Sequence, residues 1–168
     1  MKNFRVWAPE KKEMILHIVA PFEKEISMSK DEWGYFTTEA NVPENTRYFF
    51  KPDGENNFPD PASHYQPEGV HGPSAIVDHT LFAWNDHSWK GHPLSDLILY
   101  EIHIGTFTRE GTFEAVIPRL DDLKKTGINA IEIMPVAQFP GKRNWGYDAV
   151  YPYAVQDSYG GPEALKKW

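Results

Sequence analysis

One segment of the sequence combines aromatic rings with polar side chains in a pattern suited to binding sugars. It spans residues 139–153, and Trp145, Tyr147 and Asp148 lie close together within it. The apolar C–H faces of a sugar ring pack on flat aromatic side chains, while carboxylates and amides bind its hydroxyl groups. Packing of these rings onto the rest of the protein is the alternative. We predict that these three residues bind a sugar ligand, and that the other two tyrosines of the segment are weaker candidates.

Three ionisable side chains lie in strongly apolar runs and could also carry chemistry. Glu101 and His103 share one face of the run 97–104, and Glu132 lies late in the run 128–135. Two carboxylates at comparable positions suit the acid and the nucleophile of glycoside hydrolysis, but the sequence does not give the separation on which that mechanism depends. We favour a buried polar network that supports the fold. No catalytic residue is assigned.

The composition excludes several other classes of function. The 168 residues include 24 Asp and Glu against 17 Lys and Arg, without a basic cluster, which argues against nucleic acid and anionic membranes as partners. Cysteine is absent, so disulfides and thiolate metal sites are excluded, and no glycine-rich nucleotide motif occurs. Five histidines fall between residues 58 and 96 without a recognised ligand spacing, so we expect neither a metal nor a cofactor: His64, His71, His79, His87 and His92.

The elements that must position these residues divide into two parts. The first part, residues 1–84, contains four short β-rich runs separated by turn residues, which favours a small β-sandwich of immunoglobulin-like size. The runs are 4–7, 14–20, 33–38 and 47–51. Trp7 and Trp33 belong to this part, and tryptophans of such domains lie in the core more often than on the surface. Residues 85–96 are rich in turn-forming residues and are predicted to be a linker.

Residues 97–168 alternate instead between apolar strands and helical patterns. The runs 97–104 and 128–135 are typical of parallel strands buried on both faces. Between them, Thr112 is a plausible N-cap and Gly127 a plausible end of a helix, but Pro118 suits a helix that begins nearer Ala115. Residues 105–111 and 136–159 are predicted to be loops.

A second helix opens at Pro162, so residues 97–168 have the order strand, helix, strand, loop, helix. This order defines a βαβ unit. A complete (β/α)8 barrel needs about 250 residues. The unit is therefore either a small α/β domain or the first part of a barrel.

Several motifs resemble the α-amylase superfamily of glycoside hydrolases. Residues 4–9, 53–54, 100–107 and 127–135 resemble its N-terminal sandwich, of the early-set and carbohydrate-binding-like type, and its first two barrel strands. Within the superfamily, three stretches are similar to the malto-oligosyltrehalose trehalohydrolase family: 60–63, 67–74 and 143–148. The resemblance implies a multidomain fold in which an immunoglobulin-like sandwich precedes a TIM barrel, here present only as its first βαβ part.

The resemblance also implies a function. It predicts a cytoplasmic enzyme that hydrolyses the α-1,4 bond next to the terminal trehalose of maltooligosyl trehalose. The family's catalytic carboxylates belong to the fourth and fifth barrel strands, so the chain alone is predicted to be inactive. Tyr147 matches the tyrosine that stacks under the sugar at the cleavage site, and Trp145 and Asp148 are its neighbours. The expected partner is an α-glucan or a maltooligosaccharide, and the oligomeric state is not predicted.

Two alternative functions remain open. A fragment of a glycogen branching enzyme-like glucanotransferase would share the same superfamily motifs. A non-catalytic α-glucan-binding module would need exposed aromatic side chains on the sandwich, for which Trp7 and Trp33 are the candidates.

Overall fold

The computed structural model describes all residues from Met1 to Trp168. Its N-terminal region is built from seven short strands in two antiparallel sheets, with the spatial orders β1-β5-β4 and β3-β2-β6-β7. The strands are β1 (Lys2–Trp7), β2 (Met14–Ala20), β3 (Lys24–Ser27), β4 (Ser29–Lys30), β5 (Tyr35–Ala40), β6 (Arg47–Pro52) and β7 (Ser74–Ala75). The four predicted runs correspond to β1, β2, β5 and β6, whereas β3, β4 and β7 were missed because they are too short to show an alternating pattern.

One apolar core joins the two sheets. Alternate residues of each strand point inward, so Phe4 and Phe36 from the first sheet pack with Leu16, Ile18 and Phe50 from the second. Leu16 and Ile18 are completely buried. Each sheet therefore covers the inner face of the other, and this region encloses its own core.

The expectation that Trp7 and Trp33 lie in the core is wrong. Trp7 is 61% exposed and Trp33 is 73% exposed. Alternate residues of a strand face opposite sides, and Phe4 and Val6 of β1 face the core. Trp7 therefore lies on the outward side of β1. Trp33 lies in the turn that leads into β5, where its ring points away from the sheet interior.

Residues 53–96 have little regular structure apart from the short strand β7. They contain two 3-10 helices, His79–Leu81 and Leu94–Asp96. Nδ1 of His64 lies 2.9 Å from Nε2 of His79. No group of three or more histidines, aspartates or glutamates is arranged to hold a metal ion. None of the helices in the structure is long and apolar enough to cross a membrane.

The C-terminal region begins with the predicted pair of parallel strands. These are β8 (Leu99–Ile102) and β9 (Ala130–Ile133), paired in register from Leu99 with Ala130 to Ile102 with Ile133. The prediction that the first strand is buried on both faces is wrong for most of its length. Leu99 is 53% exposed and Tyr100 is 42% exposed, whereas Ile102 is buried. Only the C-terminal end of β8 is covered, by the helices and the loop that follow it.

Four short helices and a β-ribbon complete this region. They are α1 (Ile104–Phe107), α2 (Phe113–Val116), α3 (Leu120–Lys125), α4 (Gly161–Lys167), β10 (Ala137–Gln138) and β11 (Tyr151–Val155). Two 3-10 turns, Ile117–Arg119 and Asp157–Tyr159, connect them. The core cluster contains Ile102, Ile104, Phe113, Phe139 and Tyr159. The predicted loops at 105–111 and 136–159 are thus partly regular, since α1 overlaps the first loop and the pair β10–β11 lies within the second.

The helix between the two parallel strands is segmented at its proline. Thr112 is the N-cap of α2, and its hydroxyl accepts a hydrogen bond from the Ala115 N–H, as predicted. Pro118 falls in the 3-10 turn between α2 and α3, where its missing N–H breaks the α-helical ladder. The predicted start near Ala115 is therefore too late, because the helix begins at Phe113 and changes its geometry at the proline instead. Gly127, with a φ of 99°, follows the last turn, as a C′ glycine does.

Candidate functional site

The sugar-binding candidates lie on a loop that is closed at its base by two buried glutamines. Gln138 at the start of the loop accepts a hydrogen bond from the Asp157 N–H, at 3.0 Å. Gln156 at its end accepts one from the Phe139 N–H, at 2.9 Å, and donates one to the Gly141 carbonyl. Both glutamines are almost completely buried, so these bonds satisfy polar groups that water cannot reach. The loop therefore leaves the fold from a fixed base.

A glycine holds the tip of the loop against the end of β9. Gly146 is buried and has a φ of 99°, a conformation that side chains disfavour. A Cβ at this position would overlap the carbonyl oxygen of Pro135. The backbone between Trp145 and Tyr147 can approach the strand only because residue 146 has no side chain. As a consequence, the rings on either side of the glycine are directed outward.

His103 provides a second anchor for the same loop. Its Nε2 lies 2.7 Å from the carbonyl oxygen of Asn144, which can only accept a hydrogen bond, so Nε2–H is the donor. Nδ1 is then free to accept a hydrogen bond from the hydroxyl of Thr106, at 3.2 Å. The hydroxyl of the buried Tyr159 lies 3.3 Å from Nε2. His103 thus connects the end of β8 to the residue that precedes Trp145.

The two aromatic candidates are presented to solvent together with polar groups. Trp145 is 73% exposed and Tyr147 is 70% exposed. Between them and the base of the loop, the amide Nδ2 of Asn144 donates to Asp148 at 3.2 Å, while its Oδ1 accepts from the Gly146 N–H at 2.8 Å. Asp148 is exposed and retains lone pairs for a ligand. Trp145, Tyr147 and Asp148 thus lie on one short, anchored segment, and of the three only Trp145 lines the open cleft beside it.

An open cleft of about 500 Å³ lies beside this segment. It is lined by His103, Gly105, Thr106, Lys142, Arg143, Asn144 and Trp145. Lys142 and Arg143 are exposed, and neither forms a salt bridge within the chain. Their N–H groups are therefore available as hydrogen-bond donors to a hydroxylated ligand. The cleft combines one aromatic wall with several polar donors and acceptors, which is chemically compatible with a hydroxylated ligand.

The two carboxylates on the parallel strands do not form the expected buried network. Glu101 and Glu132 are partners in the register of β8 and β9, and both side chains are exposed. Neither of them lines the cleft. The polar network forms instead around His103, immediately after the end of β8. The strand ends at Ile102, and the chain turns there into α1.

The two remaining tyrosines of the loop contact the N-terminal region instead of the cleft. Tyr151 is buried, and its hydroxyl donates to the carbonyl of Val70 at 2.8 Å. Burial raises the pKa of Tyr151. The ring of Tyr153 lies 6.4 Å from that of His64. Tyr151 therefore packs the loop against the N-terminal region.

Sequence reasoning did not identify His103 and Gly146 as the residues that position the loop. The only available signal was their place in the motifs, since His103 lies near the end of an apolar run and Gly146 separates two aromatics. Neither pattern states that the distant residues Asn144 and Pro135 are the partners. Such contacts depend on how β8, β9 and the loop pack together.

Known proteins resemble the chain over its whole length. No family model matches it. The malto-oligosyltrehalose trehalohydrolase of Saccharolobus solfataricus is 52% identical over 98% of this chain, which spans 29% of that relative. The 1,4-alpha-glucan branching enzyme GlgB of Vibrio cholerae is 31% identical over 80% of the chain, which matches 20% of that relative.

Solved structures give the same result for the fold. A putative alpha amylase from Salmonella typhimurium superposes with a TM-score of 0.92 and 41% identity, covering 98% of this chain and 28% of that one. A pullulanase from Anoxybacillus sp. LM18-11, solved with maltotetraose, superposes with a TM-score of 0.80 at 23% identity, covering 94% of this chain and 28% of that one. Because its identity is low, the pullulanase shows only that the fold is shared.

These relatives identify the chain as the N-terminal portion of a glycoside hydrolase of the α-amylase family. Within that family, curated homologues with 52% and 39% identity are named malto-oligosyltrehalose trehalohydrolase, and the match is to their N-terminal part. The chain spans less than a third of the length of these relatives.

Proposed function

We propose that the chain is the N-terminal part of an enzyme that hydrolyses the α-1,4 bond next to the terminal trehalose of maltooligosyl trehalose and releases trehalose. The observation that carries the proposal is the anchored segment with exposed Trp145 and Tyr147 beside the polar cleft. It accompanies 52% identity to a relative that bears this name. Tyr147 stacks under a glucose ring, Trp145 provides a second apolar wall, and Asp148 binds sugar hydroxyl groups.

The proposal includes a particular architecture. Residues 1–84 form an immunoglobulin-like sandwich, residues 85–96 a linker, and residues 97–168 the first part of a (β/α)8 barrel. The parallel pair β8–β9 and the helices between its strands support the barrel assignment. In a barrel, the loops that follow the C-terminal ends of strands form the active site. The loop after β9 carries Trp145, Tyr147 and Asp148, which agrees with that rule.

The reaction needs groups that these residues do not provide. Glycoside hydrolysis uses two carboxyl groups on opposite sides of the scissile bond. Glu101 and Glu132 lie outside the cleft, so we assign the catalytic acids to later barrel strands, as the family resemblance implies. The 168-residue chain contributes substrate binding and no catalytic residue. We place the enzyme in the cytoplasm, in trehalose formation, without a metal or cofactor.

The experiment that tests the function uses the complete open reading frame that contains this chain. The purified product is incubated with maltooligosyl trehalose and, separately, with linear amylose. We expect release of trehalose from the first and no new branches in the second. New α-1,6 branches without trehalose release would instead establish the branching enzyme, which is the less favoured candidate because its identity and coverage are lower.

The proposed role of Tyr147 is tested in the same enzyme. Tyr147→Ala removes the ring that stacks on the substrate and should lower kcat/KM by at least about tenfold, because each tenfold loss reflects about 1.4 kcal/mol of transition-state binding. Tyr153→Ala is the matched control, since Tyr153 is 66% exposed, comparable to Tyr147, but its ring lies 6.4 Å from that of His64 in the N-terminal region. Equal activity of the Tyr147→Ala variant and the unmodified enzyme would contradict the assignment.

A further inference from the structure

Two exposed histidines from separate segments of the chain are in direct contact. Nδ1 of His64 lies 2.9 Å from Nε2 of His79, and the ring centres are 5.1 Å apart. Two nitrogen atoms at this distance share one hydrogen, so one imidazole donates and the other accepts with an unprotonated nitrogen. We call this contact the histidine pair. It lies outside the cleft beside Trp145.

The histidine pair can take up one additional proton but not two. With one proton added, the charged imidazole donates to the neutral one, and the contact is kept. With two protons added, N–H groups of like charge face each other, and the contact is lost. The two rings therefore titrate as a coupled pair, and the second proton binds only when the rings separate.

The charged groups on the His79 side do not favour the second proton. Desolvation lowers the pKa of His79, and the positive charges of Lys166 and His64 lower it further. Glu163 and Asp78 act in the opposite direction, but both carboxylates are already paired with lysines. A charged His79 therefore has no free carboxylate beside it.

The His64 side offers no stronger compensation. His64 faces the carboxyl group of Asp60 and lies 6.4 Å from the ring of Tyr153. Asp60 is buried and already accepts two hydrogen bonds. Lys2 and Arg5 line the same recess and add two positive charges to it. Neither side of the contact therefore stabilises a doubly charged pair.

The histidine pair lies where the two regions of the molecule meet. His64 precedes Tyr65, whose hydroxyl donates to Asp157 of the C-terminal region at 2.9 Å. The 3-10 helix His79–Leu81 begins at the second histidine, and Phe82 follows it. A cavity of about 270 Å³ separates this segment from α4. Separation of the two rings therefore frees the start of the connecting segment at the place where it faces α4.

We propose that the histidine pair is a pH-sensitive closure, which holds residues 79–84 against the N-terminal region at neutral pH and releases them when both imidazoles are charged. Asp78 limits the opening, because its side chain accepts a hydrogen bond from the Thr80 N–H whatever the charge of the histidines. The proposal is independent of the proposed function, since no substrate takes part in it.

The direction of the pH effect depends on how many protons each state binds. In the unfolded chain the two histidines are independent, with pKa values of about 6.5, and they take up two protons on acidification. The closed pair takes up only one. Acid therefore favours the unfolded state, so the contribution of the closed pair to stability is complete above about pH 6.5 and declines as the pH falls.

Urea denaturation of the 168-residue chain at about pH 7.5 and about pH 5 measures this contribution. His79→Gln is the test variant, because its amide takes the place of Nε2, keeps a hydrogen bond with His64 and does not titrate. Between the two pH values, the equilibrium constant of unfolding should increase about tenfold less in His79→Gln than in the unmodified chain.

His87→Gln is the matched control, since His87 is an exposed histidine of the same connecting segment. It should retain the full increase. Equal increases in His79→Gln and the unmodified chain overturn the proposal.

NMR measurements on the unmodified chain do not depend on how the variants fold. The ring protons of His64 and His79 should report two titration steps at least about one pH unit apart. Nuclear Overhauser effects between the two rings should be present at neutral pH and lost at about pH 5. Two independent titrations with the ordinary pKa of histidine overturn the coupling, and Overhauser effects that persist in acid overturn the opening.

Discussion

The two regions of the molecule differ in how they complete their cores. In the N-terminal region, Leu16 and Phe36 come from opposite sheets and are shielded from solvent by each other's strands. In the C-terminal region, Leu99 and Tyr100 of β8 remain about half exposed, although they lie in the strongly apolar run 97–104. Antiparallel sheets of short, consecutive strands can cover one another, whereas parallel strands need cover on both faces from elements elsewhere in the fold.

Within the C-terminal region, tight packing is concentrated at one end of the parallel strands. The C-terminal region concentrates its best-packed residues at the C-terminal ends of β8 and β9, where Ile102, Phe139 and Tyr159 share a core. This is also where the loop with Trp145 and Tyr147 is anchored by Gln138, Gln156 and His103. Packing is therefore strongest beneath the candidate site and weakest along the side of the strands away from it.

The largest effect expected from this comparison is on stability. Phe36→Ala removes a completely enclosed ring from the N-terminal core and should lower the free energy of unfolding by about 3–5 kcal/mol. Leu99→Ala removes a half-exposed side chain and should cost about 1 kcal/mol or less. Urea denaturation followed by circular dichroism measures both. Equal losses would show that the face of β8 is covered in solution, and the contrast between the regions would then be wrong.

A smaller effect is expected at the loop anchor. Gly146→Ala introduces a Cβ that collides with Pro135, and it forces alanine into the positive φ that the glycine adopts. We expect the free energy of unfolding to fall by about 1–3 kcal/mol. Because the collision lies beneath Trp145 and Tyr147, glucan binding should weaken together with stability. Gly141→Ala also has a positive φ in this loop but open space around it, so it is the control for strain alone. If the two variants bind maltoheptaose equally well, the approach to Pro135 does not position the rings.

The smallest effect concerns the contact between the two regions at high pH. The hydroxyl of Tyr65 donates to Asp157 at 2.9 Å. Burial, and after it this hydrogen bond, raises the pKa of Tyr65 from 10.0 to about 12. The folded state therefore favours the protonated phenol, and its contribution to stability is complete below about pH 10 and is lost as the pH rises towards 12.

Thermal melting at about pH 9 and about pH 11.5 measures this contribution, since the first value lies below the titration range and the second lies within it. The decrease in Tm between the two conditions should be smaller in Tyr65→Phe than in the unmodified chain. Tyr153→Phe, which alters an exposed tyrosine, should retain the full decrease. An unchanged decrease in Tyr65→Phe would show that this contact does not couple the regions.

Much of the N-terminal region could be predicted from local patterns. The alternation in 4–7, 14–20 and 47–51 reports directly which residues face a sheet interior, so β1, β2 and β6 were found. The same alternation places Trp7 on the outward side, but the general preference of tryptophan for cores led to the wrong expectation. A residue's average preference carries less information than its parity within a strand.

The residue types of the candidate site could be predicted from the sequence, but the contacts that hold the loop in place could not. Trp145, Tyr147 and Asp148 stand out because aromatic and polar residues alternate over a few positions. That Asn144 is tied to His103, and that Gly146 lies on Pro135, could not be predicted, because these partners are far apart along the chain. The expected polar network at Glu101 and Glu132 was wrong for a related reason, since a strand pattern does not report which face other elements cover.

The sequence by itself determined the family, four of the seven N-terminal strands, the parallel pair of strands in the C-terminal region and the segment with candidate sugar-binding side chains. These features depend on residues close together in the chain, whose backbone preferences and spacing act locally. Only the tertiary structure decided that Trp7 and Trp33 are exposed, that β8 is open along one side, and that His103 and Gly146 fix the loop. Exposure and anchoring are set by packing between distant segments, because burial of a side chain depends on which other parts of the chain lie against it.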